Sequence, residues 1–119
     1  MSDHEKNSEP IVAERLRFGS GFSAEDQDHV LEVLSALDRH LAHWPPEKAD
    51  LEISVKDRGG PEQKVTLEAW LPGWPPLVAT FSDRELDHAL VGVRKEMIRL
   101  IDDEKAKRDL PKATRRRTA

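Results

Sequence analysis

The sequence contains no cysteine, which excludes disulfide scaffolds and thiol chemistry. It also lacks any apolar run near the ~18 residues that a membrane span requires. The opening segment MSDHEKNSEP has neither the cationic nor the apolar part of a secretory signal. A chain of 119 residues has room for one modest hydrophobic core. We therefore expect a cytoplasmic, single-domain protein that has no contact with a membrane.

Motifs for catalysis and metal binding are also missing. No Gly-rich phosphate loop or nucleophile elbow occurs, since Gly59 and Gly60 lie in a predicted hairpin turn rather than between a strand and a helix. The five histidines are scattered. Only His40 and His43, three residues apart, come near the spacing of zinc ligands. They have no cysteine and no carboxylate pair at fixed spacing beside them that could supply further ligands. We expect no enzymatic activity, no cofactor and no metal.

Positive charge is scarce and unevenly placed. The net charge is −4, whereas a general nucleic-acid binder is usually basic. Residues 1 to 81 carry 8 Lys and Arg against 15 Asp and Glu, residues 82 to 108 carry 7 against 7, and residues 109 to 119 carry 4 against 1. An anionic partner would therefore meet the C-terminal end of the chain.

Hydrophobic periodicity predicts six elements in the order β-α-β-β-β-α. A loose alternation predicts a first strand over residues 11 to 18. Ser23 is the predicted N-cap of the first helix, which the Trp-Pro-Pro segment at 44 to 46 ends. The apolar stripe of this helix consists of Val30, Val33, Leu34, Leu37 and Leu41.

Three further strands follow the first helix. Residues 51 to 56 and 64 to 71 alternate with a period of two and flank the turn segment DRGGP, so they predict a hairpin. A rigid Pro-Gly-Trp-Pro-Pro connection leads to a last strand at 77 to 81. The Trp-Pro-Pro segments at 44 to 46 and 74 to 76 are too short to form a repeat and lie in different connections, so we interpret them as coincidence.

The last helix is predicted over residues 82 to 108. Ser82 is the expected N-cap, with Glu85 completing a capping box and Phe81 packing on Leu86. Two helices with one apolar stripe each need a common sheet face to cover. The prediction is an α+β two-layer sandwich, with two helices packed on one face of a four-stranded sheet. The stripe of the last helix consists of Leu86, Leu90, Val93, Met97, Leu100 and Ile101.

The predicted organisation is a disordered lead at 1 to 10, an α+β domain at 11 to 108 and a basic flexible tail at 109 to 119. On an ideal helix, four cationic side chains share a narrow arc opposite the apolar stripe of the last helix. Such an arc can meet phosphates, but it is also typical of an ordinary solvated helix face. The arc consists of Arg84, His88, Lys95 and Arg99.

A second candidate surface is the sheet face away from the helices. Alternation places Trp70 there, where an indole beside a cation can stack on a nucleobase. The alternative is that Trp70 and Trp74 cover the edge of the core. The possible contacts on this open face are Arg15, Arg17, Lys64 and Trp70.

The element order and two segments, LEISVKDRGGPEQKVTLEAWLPG and FSDRELDHALVGVRKEMIRLIDDEKAKRD, resemble the ribosome hibernation-promoting factors, also called ribosome-associated inhibitors. The similarity covers roughly residues 11 to 108, and Asp87 and Ala89 look like the start of that family's long cationic helix. The resemblance implies a non-enzymatic protein that enters the small ribosomal subunit near the mRNA channel and tRNA sites. There it would contact ribosomal RNA, not DNA, and hold idle ribosomes inactive.

Applied to this chain, the resemblance implies RNA contacts along the last helix and the tail. Glu25, Asp28 and Glu32 stand on the first helix where the family usually has more Lys or Arg. The chain also resembles the short form, so we expect no ribosome dimerisation from it alone. The alternative is a diverged protein-interaction module of the same fold without ribosome binding. The implied contacts are Arg84, His88, Arg94, Lys95, Arg99, Lys105, Lys107, Arg108, Arg115, Arg116 and Arg117.

Overall fold

A computed structural model describes residues 10 to 109, which form a four-stranded sheet with helices on one face. The predicted lead and tail, at 1 to 9 and 110 to 119, lie outside the described residues. Short 3-10 segments at Ala24–Asp26, Ser35–His40 and Pro46–Lys48 flank the regular elements. These elements are α1 (Ile11–Arg15), β1 (Leu16–Phe18), α2 (Gln27–Leu34), β2 (Asp50–Lys56), β3 (Lys64–Trp70), β4 (Leu77–Ser82) and α3 (Leu86–Asp109).

The strands lie in the order β1-β2-β3-β4. β1 runs parallel to β2, and the other neighbours are antiparallel. Ile53 stands opposite Leu67, which stands opposite Ala79, so these side chains share the face under the helices. Because successive residues of a strand point to opposite faces, the charged partners of β2 and β3 lie on the other face. The predicted α+β sandwich is confirmed.

The core lies between this sheet face and α2 and α3. Leu90, Val93 and Met97 of α3 are fully buried, as their spacing predicts, while Leu86 and Leu100 are only partly buried. Removing such a side chain from water contributes about 1.5–3 kcal/mol, so the α3 stripe is a large part of what holds the helix on the sheet. Among residues 10 to 109, no helix is both long and apolar enough to cross a membrane.

The predicted first strand is wrong over its first five residues, which form α1. Ile11 and Val12 are neighbours and are both buried, a pattern that strand alternation does not allow. The carboxylate of Asp38 accepts a hydrogen bond from the backbone nitrogen of Val12 at 2.9 Å and so stabilises the start of the helix. This cap comes from 26 residues away, and local periodicity therefore could not reveal it.

The predicted start of the last helix is also wrong. β4 continues through Ser82, and α3 begins at Leu86. The Asp83 carboxylate, rather than Ser82, accepts the hydrogen bond from the backbone nitrogen of Glu85, at 2.9 Å. The strand extends because Ser82 pairs with Lys64 of β3, which a local capping pattern does not take into account.

The first helix begins near the predicted cap but is not continuous. The Asp26 carboxylate accepts a hydrogen bond from the backbone nitrogen of Ser23 at 2.8 Å. After Leu34 the chain tightens into the 3-10 segment Ser35–His40.

The two Trp-Pro-Pro segments meet in space. The rings of Trp44 and Trp74 pack edge to face with centroids 4.7 Å apart. They are not a repeat, but together they cover one end of the core.

Candidate nucleic-acid interface

The outer side of α3 carries three of the four residues of the predicted cationic arc. His88, Lys95 and Arg99 are exposed and line the same groove beside the end of β4. Arg84 is exposed but lies in the turn before α3, so it does not belong to the helical row. The structure thus brings together His88, Lys95 and Arg99 as a row about 16 Å long at 1.5 Å per helical residue.

The groove beside this row has a volume of about 510 Å³. Its apolar floor includes Phe81, Val91 and Gly92. The Phe81 ring lies directly against the backbone at Gly92, where any larger residue would collide with it. Phe81 is 41% exposed and packs against α3 at Gly92, a contact that sequence periodicity did not indicate.

Arg99 is not a free cation. Its guanidinium hydrogen-bonds to the carboxylates of Glu96 and Asp103, the latter at 2.9 Å. The hydrogen bond with Arg99 lowers the pKa of the Glu96 carboxyl and raises the pKa of the Arg99 guanidinium. A phosphate would have to displace a carboxylate, although exposed pairs of this kind are individually weak.

Lys95 differs from Arg99 because it forms no ion pair with any carboxylate among residues 10 to 109. His88 is intermediate between these two cases, because one of its ring nitrogens lies 3.6 Å from the carboxylate of Asp83 and the other lies 3.9 Å from that of Glu85. Lys95 is therefore the cation of the groove that can meet an incoming anion without breaking an internal contact.

Arg94 connects the two main helices. Its Nη1 donates a hydrogen bond to the carbonyl oxygen of Val33 at 3.0 Å, which ties α3 to α2. A second link between these helices is the contact of 2.7 Å between His29 Nε2 and Asp87 Oδ1. Arg94 thus lies apart from the row formed by His88, Lys95 and Arg99.

Two of the three predicted contacts at the end of α3, Lys107 and Arg108, share one carboxylate. Glu104 lies 2.9 Å from Arg108 and 3.7 Å from Lys107. The Arg108 guanidinium also lies 5.4 Å from the ring centroid of Trp74, within cation–π range. Lys105 forms no ion pair within residues 10 to 109. The predicted contacts Arg115, Arg116 and Arg117 lie outside the described residues.

The open sheet face is less basic than its predicted contacts suggest. The Arg17 guanidinium lies 5.7 Å from the Trp70 ring centroid and 3.6 Å from Glu52. Lys64 stands opposite Lys56 at the other end of the face. Trp70 lies on the open face beside Arg17, as its alternation predicts.

Arg15 departs from the predictions for this region, and the two indoles differ from each other. Arg15 is in α1, where it bonds to Asp50 at 2.9 Å and to the carbonyl oxygen of Ala49. It is therefore not a free cation of the open face. Trp74 covers the core edge, as the alternative interpretation for the two indoles proposed, whereas Trp70 does not.

Two residues of the β2–β3 hairpin hold the starts of both helices, and sequence reasoning missed them. Arg58 forms two hydrogen bonds with Asp26, at 3.0 and 3.1 Å, and lowers the pKa of that carboxyl far below its usual range. Gln63 is buried, accepts a hydrogen bond from the backbone nitrogen of Gly59 and donates one to the carbonyl oxygen of Arg84. Neither contact leaves a local signal, because the partners are 32 and 21 residues apart.

The acidic residues expected on the first helix, Glu25, Asp28 and Glu32, are all exposed. Among residues 10 to 109, no three His, Asp or Glu side chains are grouped so that they could hold a metal ion. The described surface therefore offers an acidic side at α2 and a cation-bearing groove at α3.

The fold is similar to that of two solved structures. The N-terminal domain of Protein Y from Thermus thermophilus aligns with a TM-score of 0.58 and 15% identity, over 73% of this chain and 94% of that one. A ribosomal subunit interface protein from Coxiella burnetii aligns with a TM-score of 0.55 and 10% identity, over 77% and 98%. No protein-family model matches the chain, and no curated protein matches it in sequence. The resemblance inferred from the sequence is thus confirmed at the level of the fold.

Proposed function

We propose that this protein is a non-enzymatic factor that binds the small ribosomal subunit and inhibits translation or preserves idle ribosomes. The observation that supports this most is the row His88, Lys95 and Arg99 on the outer side of α3, in a fold shared with a ribosomal subunit interface protein. A rigid helix presents these side chains at fixed spacing, as phosphate contacts require.

The proposed mechanism is occlusion. The domain would occupy the region of the mRNA channel and the tRNA sites and exclude their ligands sterically, so it needs no chemical step. Lys95 is the proposed first phosphate contact, since it has no carboxylate partner among the described residues. Arg99 would follow by exchanging Glu96 or Asp103 for a phosphate. The other predicted cations, including those of the tail, would add attraction at longer range.

The test is a charge reversal at Lys95. Lys95→Glu should leave folding nearly intact, because surface substitutions usually change stability by about 0.5 kcal/mol or less. Ribosome binding should fall roughly tenfold, and its log–log salt slope should decrease by ~1, the value for one lost phosphate contact. At Arg99, Gln is the better substitute, since Glu would face Glu96 and Asp103.

Lys56→Glu is the matched control, because it makes the same charge change at an exposed residue at the end of β2, away from α3. The measurement is pelleting of each variant with purified ribosomes over a range of salt concentrations. If Lys95→Glu pellets as well as the parent, or if binding does not depend on salt, the row is only a solvated helix face and the proposal fails.

The second candidate is a protein-interaction module that keeps the fold without binding ribosomes. The exposed acidic residues Glu25, Asp28 and Glu32 favour it, as does the pairing of Arg99 with carboxylates. Sedimentation of cell lysate through a sucrose gradient separates the two. Migration with the small subunit or the monosome supports the first function, whereas a slow peak of free protein supports the second.

A further inference from the structure

The two edges of the sheet are protected differently. β1 has only three residues and carries Arg17 in its centre. β4 pairs with β3 alone among the described strands and has six residues, LVATFS, none of them charged. Proteins usually protect a sheet edge with charge, proline, a bulge or a very short strand. Within Leu77–Ser82 the residues supply no charge and no proline.

The most exposed large apolar side chains of residues 10 to 109 both lie on β4. Val78 is 49% exposed and Phe81 is 41% exposed. Val78 stands opposite Glu68 on the open sheet face, whereas Phe81 stands opposite Val65 on the helix side. A strand added beside β4 would therefore find an apolar contact on each of its faces.

On the helix side, the β4 edge continues into the groove at α3. Gly92 lies in the interior of α3, where glycine is less favourable than alanine by about 1 kcal/mol. A side chain at this position would collide with the Phe81 ring. Gly92 thus lets the ring pack against the helix backbone, and the space of the groove lies beside these two residues. Side chains of an added strand, on the face toward the helices, would enter this space.

The charges that line the groove leave one cation available. Glu96 is bound to Arg99, and Asp83 accepts the backbone hydrogen bond of Glu85 and lies 3.6 Å from His88. Lys95 has no carboxylate partner within residues 10 to 109. An occupant with a carboxylate at this point would therefore be favoured.

We propose that the β4 edge and its groove bind an extended segment of a partner protein, which adds as a fifth strand. Its apolar side chain would cover Phe81 and Gly92, and an acidic side chain would reach Lys95. A second copy of this chain fits less well, because a symmetric contact would offer only carboxylates that are already paired. Nucleic acid can reach the cations of the groove, but it does not fit the β4 edge itself, since it cannot match the alternating N–H and C=O groups of a strand edge.

The test begins with a library of random seven-residue peptides displayed on phage and selected on the folded protein. Enriched peptides should alternate apolar residues and contain an acidic one. Selection on Lys95→Glu should replace the acidic residue with a basic one. Synthetic copies should bind Val78→Lys at least roughly tenfold more weakly than the parent, because a lysine on an exposed edge opposes strand addition. Lys56→Glu is the control and should bind them like the parent.

Hydrogen exchange then locates the bound peptide, which should protect the backbone amides of β4. The proposal is overturned if no sequence is enriched, if Val78→Lys binds the peptides equally well, or if protection falls elsewhere. It is also overturned if an oligouridylate protects these amides and the peptides do not. Val78→Lys should still pellet with ribosomes, because Val78 is not one of the proposed RNA contacts, so this variant separates the two proposals although both use Lys95.

Discussion

The same hairpin holds the starts of the two main helices, but by different chemistry. At α2, the contact is the ion pair between Arg58 and Asp26, whose side chains are 38% and 20% exposed. At α3, the contact is the neutral amide of Gln63, which is 2% exposed. The ion pair depends on pH and salt, whereas the buried amide does not. The buried amide should also be costlier to remove, because it forms two hydrogen bonds with the backbone, whereas an exposed ion pair is individually weak.

The exposed faces of the two main helices differ in the sign of the charges that they carry. α2 and its leading turn expose Glu25, Asp28 and Glu32, while α3 exposes His88, Lys95 and Arg99. The helices are nevertheless tied together through Arg94 and Val33. Two helices that pack on the same sheet face and on each other thus carry different side chains outward, acidic on α2 and a row of three cations on α3.

The largest expected effect comes from the packing of α3. Val93→Asp would place an unpaired carboxylate in the core, where Val93 is fully buried, and this is severely unfavourable. Cooperative thermal unfolding, followed by circular dichroism, should be lost. His88→Asp, on the exposed side of the same helix, should unfold cooperatively. A Val93→Asp protein that melts like the parent would contradict the placement of α3 on the sheet.

The buried contact at the start of α3 should come next. Gln63→Ala removes the two hydrogen bonds between the side-chain amide and the backbone at Gly59 and Arg84, and a typical hydrogen bond contributes about 0.5–1.5 kcal/mol. The free energy of unfolding from urea denaturation should fall by that order. The neighbouring Glu62 is exposed, and Glu62→Ala should change it little. Equal effects from the two variants would show that the Gln63 contact does not hold α3.

A smaller effect is expected from the acidic face of α2. The double variant Glu25→Lys, Asp28→Lys should strengthen ribosome pelleting, because it adds positive charge beside α3. The gain should be smaller than the loss caused by Lys95→Glu, since exposed charges beyond about 8–10 Å are largely screened at physiological salt. A gain larger than that loss would instead place α2, rather than α3, against the RNA.

The smallest effect should come from the exposed ion pair, and it should depend on pH. The pKa of Asp26 is lower in the folded protein than in the unfolded chain, mainly because of the hydrogen bonds from Arg58. Its stabilisation is therefore complete above the unfolded pKa, near pH 4, and decreases as the pH falls toward the folded pKa. Arg58→Ala should be less stable than the parent at pH 7, and the difference should shrink below pH 4. A difference that stays constant with pH would exclude the carboxylate as the partner.

Much of the fold could be predicted because its signals are local. The alternation of Leu51, Ile53 and Val55 identified β2, and the stripe of Leu90, Val93 and Met97 identified the buried side of α3. The errors fall where a distant group decides the local structure. Asp38 caps α1 from the far end of the first helical region, and Lys64 extends β4 by pairing with Ser82.

The candidate site was predictable in position but not in its charge balance. Spacing placed His88, Lys95 and Arg99 on one side of the helix, and the structure agrees. The pairs of Arg99 with Glu96 and Asp103 had a signal, since residues three and four apart are neighbours on a helix. The Phe81 ring over Gly92 had none, because strand and helix meet there only in the folded chain.

The sequence by itself determined which side of each strand and of α3 is buried, because hydrophobic periodicity is a property of neighbouring residues. Only the tertiary structure decided which cations are held by groups distant in the sequence. Arg94 bonds to Val33, 61 residues away, and Arg15 bonds to Asp50, 35 residues away. Lys95 has no such partner among the described residues. The strength of such contacts depends on distance, and for residues in different elements the spacing along the chain does not contain that distance.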